Sequence, residues 1–384
     1  MDFQLSEEQL MIRQAARDFA VNECLPGVIE RDEHQKFPKE QVEKLADLGF
    51  MGMMVPTEYG GSGMDTVSYV LAMEEISKAD ASVSVCMSVN NSLVCYGLNE
   101  YGTEAQKRKY LTPLAQGKKD GELYIGAFLL SEPEAGSDAT SQSTTAEDKG
   151  DHYLINGTKN WITNGNSASV YLVIAQTDVA KKHKGINAFI VDKNTPGVTV
   201  GAKENKLGIR GSDTHSILFN DVKVPKENRI GEDGFGFTFA MKTLAGGRIG
   251  IASQALGIAS GAYERALAYS KQRKAFGKEI MHHQAIQFKL ADMATRIDAA
   301  RLLCLKAAWE KDNKMDYTLS GSMAKVFASE TAMWTATEAV QIHGGYGFVK
   351  EYHVERMMRD AKITQIYEGT SEVQRIVISR SILK

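Results

Sequence analysis

From residue 1 to about residue 120 the apolar positions recur every three to four residues, the spacing of amphipathic helices. Ser6 with Gln9 makes a capping-box pattern ahead of an apolar face through Leu10, Ala16 and Phe19. Pro38 suits a first helical position; Val42, Leu45 and Leu48 follow, and Gly49 stops the helix. A Gly-rich loop, Glu58–Gly63, leads into a helix through Val67, Val70, Leu71 and Glu74, and Thr103 caps another that carries Tyr110 and Leu111 and ends at Gly117. After Gly121 the rhythm changes. Short runs rich in Val, Ile and Tyr (Tyr153–Ile155, Val170–Ala175, Ala188–Val191, Ser216–Phe219) alternate with the turn signals Asn156-Gly157, Asn164-Gly165 and Pro196-Gly197. Strands without intervening helices predict an antiparallel β-barrel or sandwich. From Gly236 the helical period returns over about 236–271, 283–311, 317–342 and 353–367, with a last helix from 372, which predicts an antiparallel four-helix bundle. Gly250–Ala259 is apolar all round, so it should be buried on several faces, and its small residues permit close packing, as against another subunit. The chain thus reads as mainly α with a central β domain, divided at 1–122, 123–232 and 233–384.

Composition narrows the function classes. The 384 residues are 43% hydrophobic and 24% charged, as in an ordinary globular protein. A net charge of −3 gives no footprint for nucleic acid, and no apolar run reaches membrane-spanning length. Four scattered cysteines show no metal-ligand spacing and suit a reducing compartment. The acidic start, Met1 to Glu8, lacks signal- and transit-peptide patterns, so a cytoplasmic protein is expected, or a processed one of the mitochondrial matrix.

The stretch with the most chemistry is Asp360–Arg375. Ile363, Ile366 and Tyr367 keep helical spacing up to Glu368, Gly369 breaks the run, and Ser371 with Gln374 reads as a capping box that opens a new helix. Glu368 is then either a solvated residue at a helix corner or a carboxylate beside free N–H groups, able to act as a base if buried. Other candidates carry the same duality. Leu130–Asp138 is a polar connection or a ligand loop. Lys159–Gly165 places Trp161 and Thr163 on one side of a strand, as core or as a seat for a flat heteroaromatic ring. The cations of Ala245–Arg248 and Lys271–Lys278 cap helices or bind phosphate. Gln341–Gly347 is a C-cap or a close approach to a pyrophosphate; it is not G-x-G-x-x-G, and no βαβ unit surrounds it. His282-His283 makes a poor metal site, because adjacent positions on a helix do not face one site.

Taken together, Ser131–Asp138, Trp161–Asn164, Gly247–Gly257, Arg273–Gly277, His283-Gln284, Gln341–Gly347 and Ile366–Thr370 resemble the acyl-CoA dehydrogenase family over essentially the whole chain, most closely its short-chain (butyryl-CoA) branch. The resemblance implies a helical N-terminal domain, a β-barrel and a C-terminal four-helix bundle. It implies FAD as cofactor, a homotetramer built as a dimer of dimers, and electron-transferring flavoprotein as partner. By match, Phe128, Leu130, Ser131, Gly136, Ser137, Trp161, Ile162, Thr163, Thr370 and Glu372 would meet the flavin. Arg273, Phe276, His283, Gln284, Gln341, Gly344 and Gly345 would meet the rest of the dinucleotide. Ser137, Arg248, Tyr367 and Gly369 would touch the acyl-CoA, and Glu368 would take its α-proton. Some relatives carry the base one residue before the arginine of Gly247-Arg248; here that residue is glycine, which cannot serve. Ala245 replaces a usual Asp, removing an expected polar contact, and Leu129 is larger than usual but can pack in the core. The implied reaction forms a trans-2-enoyl-CoA. Medium- or branched-chain specificity, an oxidase, an enoyl-CoA reductase and a flavin-free CoA-binding scaffold are the alternatives.

Overall fold

The structure, a computed structural model, describes residues 4–383; Met1–Phe3 of the acidic start and Lys384 lie outside the described residues. In the first region helix α1 (Glu7–Phe19) begins with the expected box: Ser6 Oγ accepts from Gln9 N at 3.2 Å, and the Gln9 side chain accepts from Ser6 N at 3.1 Å. Pro38 is the cap of α2 (Lys39–Asp47), one position earlier than expected. Helix α3 (Thr66–Ala79) is buried almost all round, and α4 (Ala81–Ser88) runs on through a π-helical Val89–Cys95.

The middle region holds eight strands: β1 (Gly126–Leu129), β2 (Thr145–Asp148), β3 (His152–Thr163), β4 (Val170–Gln176), β5 (Ile186–Asp192), β6 (Val198–Lys203), β7 (Thr214–Pro225) and β8 (Arg229–Ile230). They pair in the order β8-β5-β4-β2-β3-β7-β6, with β1 beside β4. Pairing is antiparallel except for β1 along β4 and one β2–β4 contact, Thr145 with Gln176. All of β4 is buried, because it is covered on both faces. Val170, Leu172 and Ile174 join the core of the helices, while Tyr171, Val173 and Ala175 join the core of the sheet with Phe189 and Leu129.

Helices α5 (Gly236–Gln272), α6 (Gln284–Asp312) and α7 (Thr318–His343) fall within about a residue of the expected spans. The fourth, α8 (Val354–Ile363), stops four residues short of 367, and α9 (Ser371–Ile382) closes the chain. Every residue from Gly246 to Ala262 is buried, and helices of its own chain cover this segment. A Cβ on Gly257 would lie 2.4 Å from Glu74 O, and one on Gly261 2.7 Å from Lys78 O, so the small residues let α5 sit directly on α3. Helix α8 ties the regions together: Arg356 donates to Ala79 O and Asp360 at 2.9 Å, Arg359 pairs with Asp32 at 2.7 Å, and Asp360 accepts from Ile209 N at 2.5 Å. Among the described residues no helix is long and apolar enough to cross a membrane, no cluster of side chains could hold a metal, and the four cysteines are free and buried.

Candidate active site

Helix α8 ends in tight turns that bring Ile366 N and Tyr367 N onto Ile363 O at 2.8 and 3.1 Å. The next two residues take left-handed backbone, Glu368 at φ 51° and Gly369 at φ 92°. Glycine suits this conformation; a non-glycine residue holds it only where its surroundings enforce it. Helix α9 is capped by Thr370, whose Oγ1 accepts from Val373 N at 3.2 Å, and not by the expected Ser371–Gln374 box. Gln374 instead reaches back, its Nε2 donating to Gly369 O at 2.9 Å and Glu368 O at 3.4 Å. The N–H groups of Glu368, Gly369 and Thr370 donate to no protein acceptor among the described residues.

The Glu368 carboxylate lies against α5 at a residue without a side chain. A Cβ on Gly247 would sit 2.1 Å from Glu368 Oε2 and 2.8 Å from Leu93 Cδ2. Oε2 is shut off from solvent and has no hydrogen-bond partner. Burial pushes this carboxyl up to about 7, while the Lys325 and Arg248 cations pull it down. Arg248 is itself buried; its Nη1 donates to Ser322 Oγ at 3.2 Å and its Nε has no partner. Lys325 of α7 is fully buried and donates to Gly369 O at 2.7 Å. Along α5, a Cβ on Gly250 would meet Ser88 Oγ and Tyr69 Oη at 2.6 and 2.7 Å. A turn further, Gln254 accepts from Tyr367 Oη and donates to Ala81 O at 2.8 Å.

A second group forms around the end of β3. A bulge between Lys159 and Ile162 puts Trp161 at φ 63° and turns it outward, 60% exposed, while Ile162 points into the sheet core and Thr163 is half-buried. Ile162 can therefore meet a ligand only through its backbone. The Ser131–Asp138 loop is fastened beneath by a buried ion pair, Lys159 Nζ to Glu132 Oε1 at 2.8 Å. Glu132 also accepts from Ser143 and Thr144. Burial pushes its carboxyl up, but Lys159 and these donors bring it down to about 2. Phe128 and Leu130 are half-buried against the helical core, Ser131 is half-buried, and Gly136 and Ser137 are exposed.

A third group lines an open groove of about 510 Å³ between the ends of α5 and α7, with Tyr269, Arg273, His343, Gly344, Gly345 and Tyr346 on its walls. Tyr269 stacks on His343 at 4.2 Å, and the Arg273 guanidinium lies 5.5 Å from the Tyr346 ring. A Cβ on Gly344, Gly345 or Gly136 would touch nothing within 4 Å, so backbone faces open space at all three. Phe276 stands 96% exposed, edge-on to His283 at 5.9 Å. Gln284 opens α6, Gln341 lies in the last turn of α7 and Glu372 in the first turn of α9, all exposed. The structure thus gathers Glu368, Tyr367, Gly369 and Arg248 at one point, and Arg273, Gly344 and Gly345 at another. Sequence reading missed Lys325, Tyr69, Leu93, Gln254, the Glu132–Lys159 pair, and the Tyr269–His343 stack. The spacing of Tyr269 four residues before Arg273 on one helix was the available signal for the last.

Comparison with known proteins follows the same outline. Sequence models for the acyl-CoA dehydrogenase N-terminal, middle and C-terminal domains match residues 6–118, 127–222 and 234–383. The short-chain-specific acyl-CoA dehydrogenase of Clostridium acetobutylicum is 51% identical over 384 residues, all of both chains. The solved butyryl-CoA dehydrogenase of Megasphaera elsdenii superposes with a TM-score of 0.97 at 49% identity, covering 100% of each chain. A chain solved in work on the electron transferring flavoprotein of Acidaminococcus fermentans superposes at 0.98, with 49% identity and 100% of each chain covered.

Proposed function

Because the chain belongs to the acyl-CoA dehydrogenase family, we propose that it converts a short-chain acyl-CoA of the butyryl class to the trans-2-enoyl-CoA, with FAD as cofactor and electron-transferring flavoprotein as acceptor. The observation that carries this reading is the pairing of a buried carboxyl near neutrality with the side-chain-free Gly247. A proton α to a thioester is weakly acidic, so its base must be desolvated and held in place. Glu368 meets both demands: Oε2 has no competing partner, and the backbone that carries it is fixed from two sides by Lys325 and Gln374. As the proton leaves, charge grows on the thioester oxygen, and the unpartnered N–H of Glu368 is a donor for it. Arg248 supplies a second positive charge beside the carboxylate.

The residues present suit FAD. Trp161 offers an exposed ring on a bulge, Gly136, Gly344 and Gly345 leave room at the backbone, and Arg273 offers a cation in an aromatic groove. When bound, FAD supplies the acceptor for the hydride that departs from the substrate's β-carbon. The short acyl chain is supported by the filling beyond Gly247, where Tyr69, Gln254 and Tyr367 close the space along α5. The exposed Phe276 supports a surface covered in a homotetramer, and four buried free cysteines support a reducing compartment, which we take to be the cytoplasm. The test is an anaerobic titration of the flavin absorbance with C4 to C12 acyl-CoAs. Bleaching should be most efficient at C4 and absent in Glu368→Gln. Strongest bleaching by a long chain overturns the substrate class, and normal bleaching in the variant overturns the base.

A further inference from the structure

Lys325 lies in the third turn of α7, in the small and apolar run Met323–Ala328, with none of its surface exposed. A buried ammonium is ordinarily matched by a carboxylate. Buried Lys159 and Arg356 are so matched, by Glu132 at 2.8 Å and Asp360 at 2.9 Å, whereas among the described residues Lys325 has no ion-paired carboxylate and its one hydrogen bond goes to Gly369 O at 2.7 Å. That carbonyl belongs to the left-handed turn carrying Glu368, and the same oxygen accepts from Gln374 at 2.9 Å. The turn is therefore held by two donors, one from α7 and one from α9, with the α7 donor carrying the charge.

We propose that Lys325 is the positioning residue of the base: its ammonium anchors Gly369 O so that the Glu368 carboxylate is aimed at Gly247, and its charge keeps that carboxylate able to accept a proton. The proposal rests on the reading of Glu368 as the base. The charged and titratable groups around the pair are few. Lys325 and Arg248 face Glu368 from α7 and α5, Tyr69 and Tyr367 lie beside it, and Arg248 and Glu372 face Lys325. Arg248 alone is left to oppose burial once the lysine charge is removed. Burial brings Lys325 down to about 8 against the pull of Glu368, so the ammonium is present across the neutral range in which the base must work.

The test compares Lys325→Gln, which keeps a donor and removes the charge, with Lys325→Arg, which keeps the charge. The Glu368 carboxyl is followed directly by its C=O infrared band, assigned against Glu368→Gln, and flavin bleaching by butyryl-CoA is followed over the same pH range. In Lys325→Gln the carboxyl should titrate at higher pH, so that bleaching falls on the order of tenfold near pH 6.5 and recovers to within about threefold near pH 9. Lys325→Arg should keep the midpoint of wild type. A glutamine variant with the wild-type midpoint, or two variants displaced equally, overturns the proposal. If the glutamine variant does not assemble, the arginine variant decides alone, and a midpoint displaced with the charge retained overturns it. The infrared midpoint is read without turnover, so wild type that butyryl-CoA fails to bleach would count against the substrate reading and leave the test of Lys325 intact.

Discussion

Gly247→Ala puts the smallest possible side chain where the Glu368 carboxylate now lies. Its Cβ would fall 2.1 Å from Glu368 Oε2 and 2.8 Å from Leu93 Cδ2. Non-bonded carbon and oxygen settle near ~3.5 Å, so one group has to retreat by more than about 1 Å. Helix α5 cannot easily do so, because Gly257 and Gly261 seat it on the backbone of α3. The carboxylate, at the end of a flexible side chain, therefore gives way. Such overpacking costs about 1–3 kcal/mol, and a displacement of about 1 Å at a reacting group costs on the order of 100-fold in rate. Purified Gly247→Ala should hold FAD and melt a few degrees lower. Mixed anaerobically with butyryl-CoA, it should lose its absorbance near ~450 nm about 100 times more slowly than wild type. Gly246→Ala is the control on the same helix: its Cβ meets nothing closer than 3.7 Å. It should bleach at close to the wild-type rate. Reduction of Gly247→Ala within about threefold of wild type would refute the placement of the base.

Three further outcomes follow from the same contacts. Glu368 keeps its proton up to about 7 in the folded chain but only to about 4.3 when unfolded, so its contribution to stability is fullest below the lower value and is lost as pH rises through that window. The melting temperature of Glu368→Gln relative to wild type should therefore climb between pH 5 and pH 8, and a constant offset would contradict this. Glu132→Gln leaves the Lys159 ammonium buried without its carboxylate and should lower stability in urea unfolding by about 3–5 kcal/mol. Glu132, held down near 2, contributes stability above about 4.3 that is lost as pH falls toward 2, so the gap between this variant and wild type should narrow in acid. Arg273→Met removes the cation of the groove and should weaken FAD retention on the order of tenfold, read from the fluorescence of flavin released on dilution.

The three long bundle helices and the four hydrophobic strands were legible because periodic apolar faces and turn residues mark their ends directly. The failures have local causes. Ile366 and Tyr367 continue the helical spacing of α8 although the chain has already turned at Thr364, so the apolar period overshoots the helix by four residues. Thr370 and Ser371 are adjacent hydroxyl residues, and only the backbone angles decide which one caps α9. Strand β2, Thr145–Asp148, shows one buried side chain, Ala146, and reads as a loop. At the site, Glu368 was legible because Gly369 interrupts a helix beside it. Lys325 was not, since its acceptor is 44 residues away and a lone lysine in a helix reads as solvent-facing. Lys159 and Glu132, 27 residues apart, hide for the same reason.

The double burial of β4 limits how the chain could be recombined. Val170, Leu172 and Ile174 share one core with Leu98 of the first region and with Ala240 and Leu256 of the third. The boundaries of the three matched family segments therefore run through a single hydrophobic core. A chimera that exchanged residues 234–383 for those of a relative would inherit a new α5 surface against an old strand face, and mismatched volumes there would be felt on Gly247. The three regions are separable as sequence but have to vary together as a packed object, so grafted substrate specificity should carry α3, β4 and α5 as one unit.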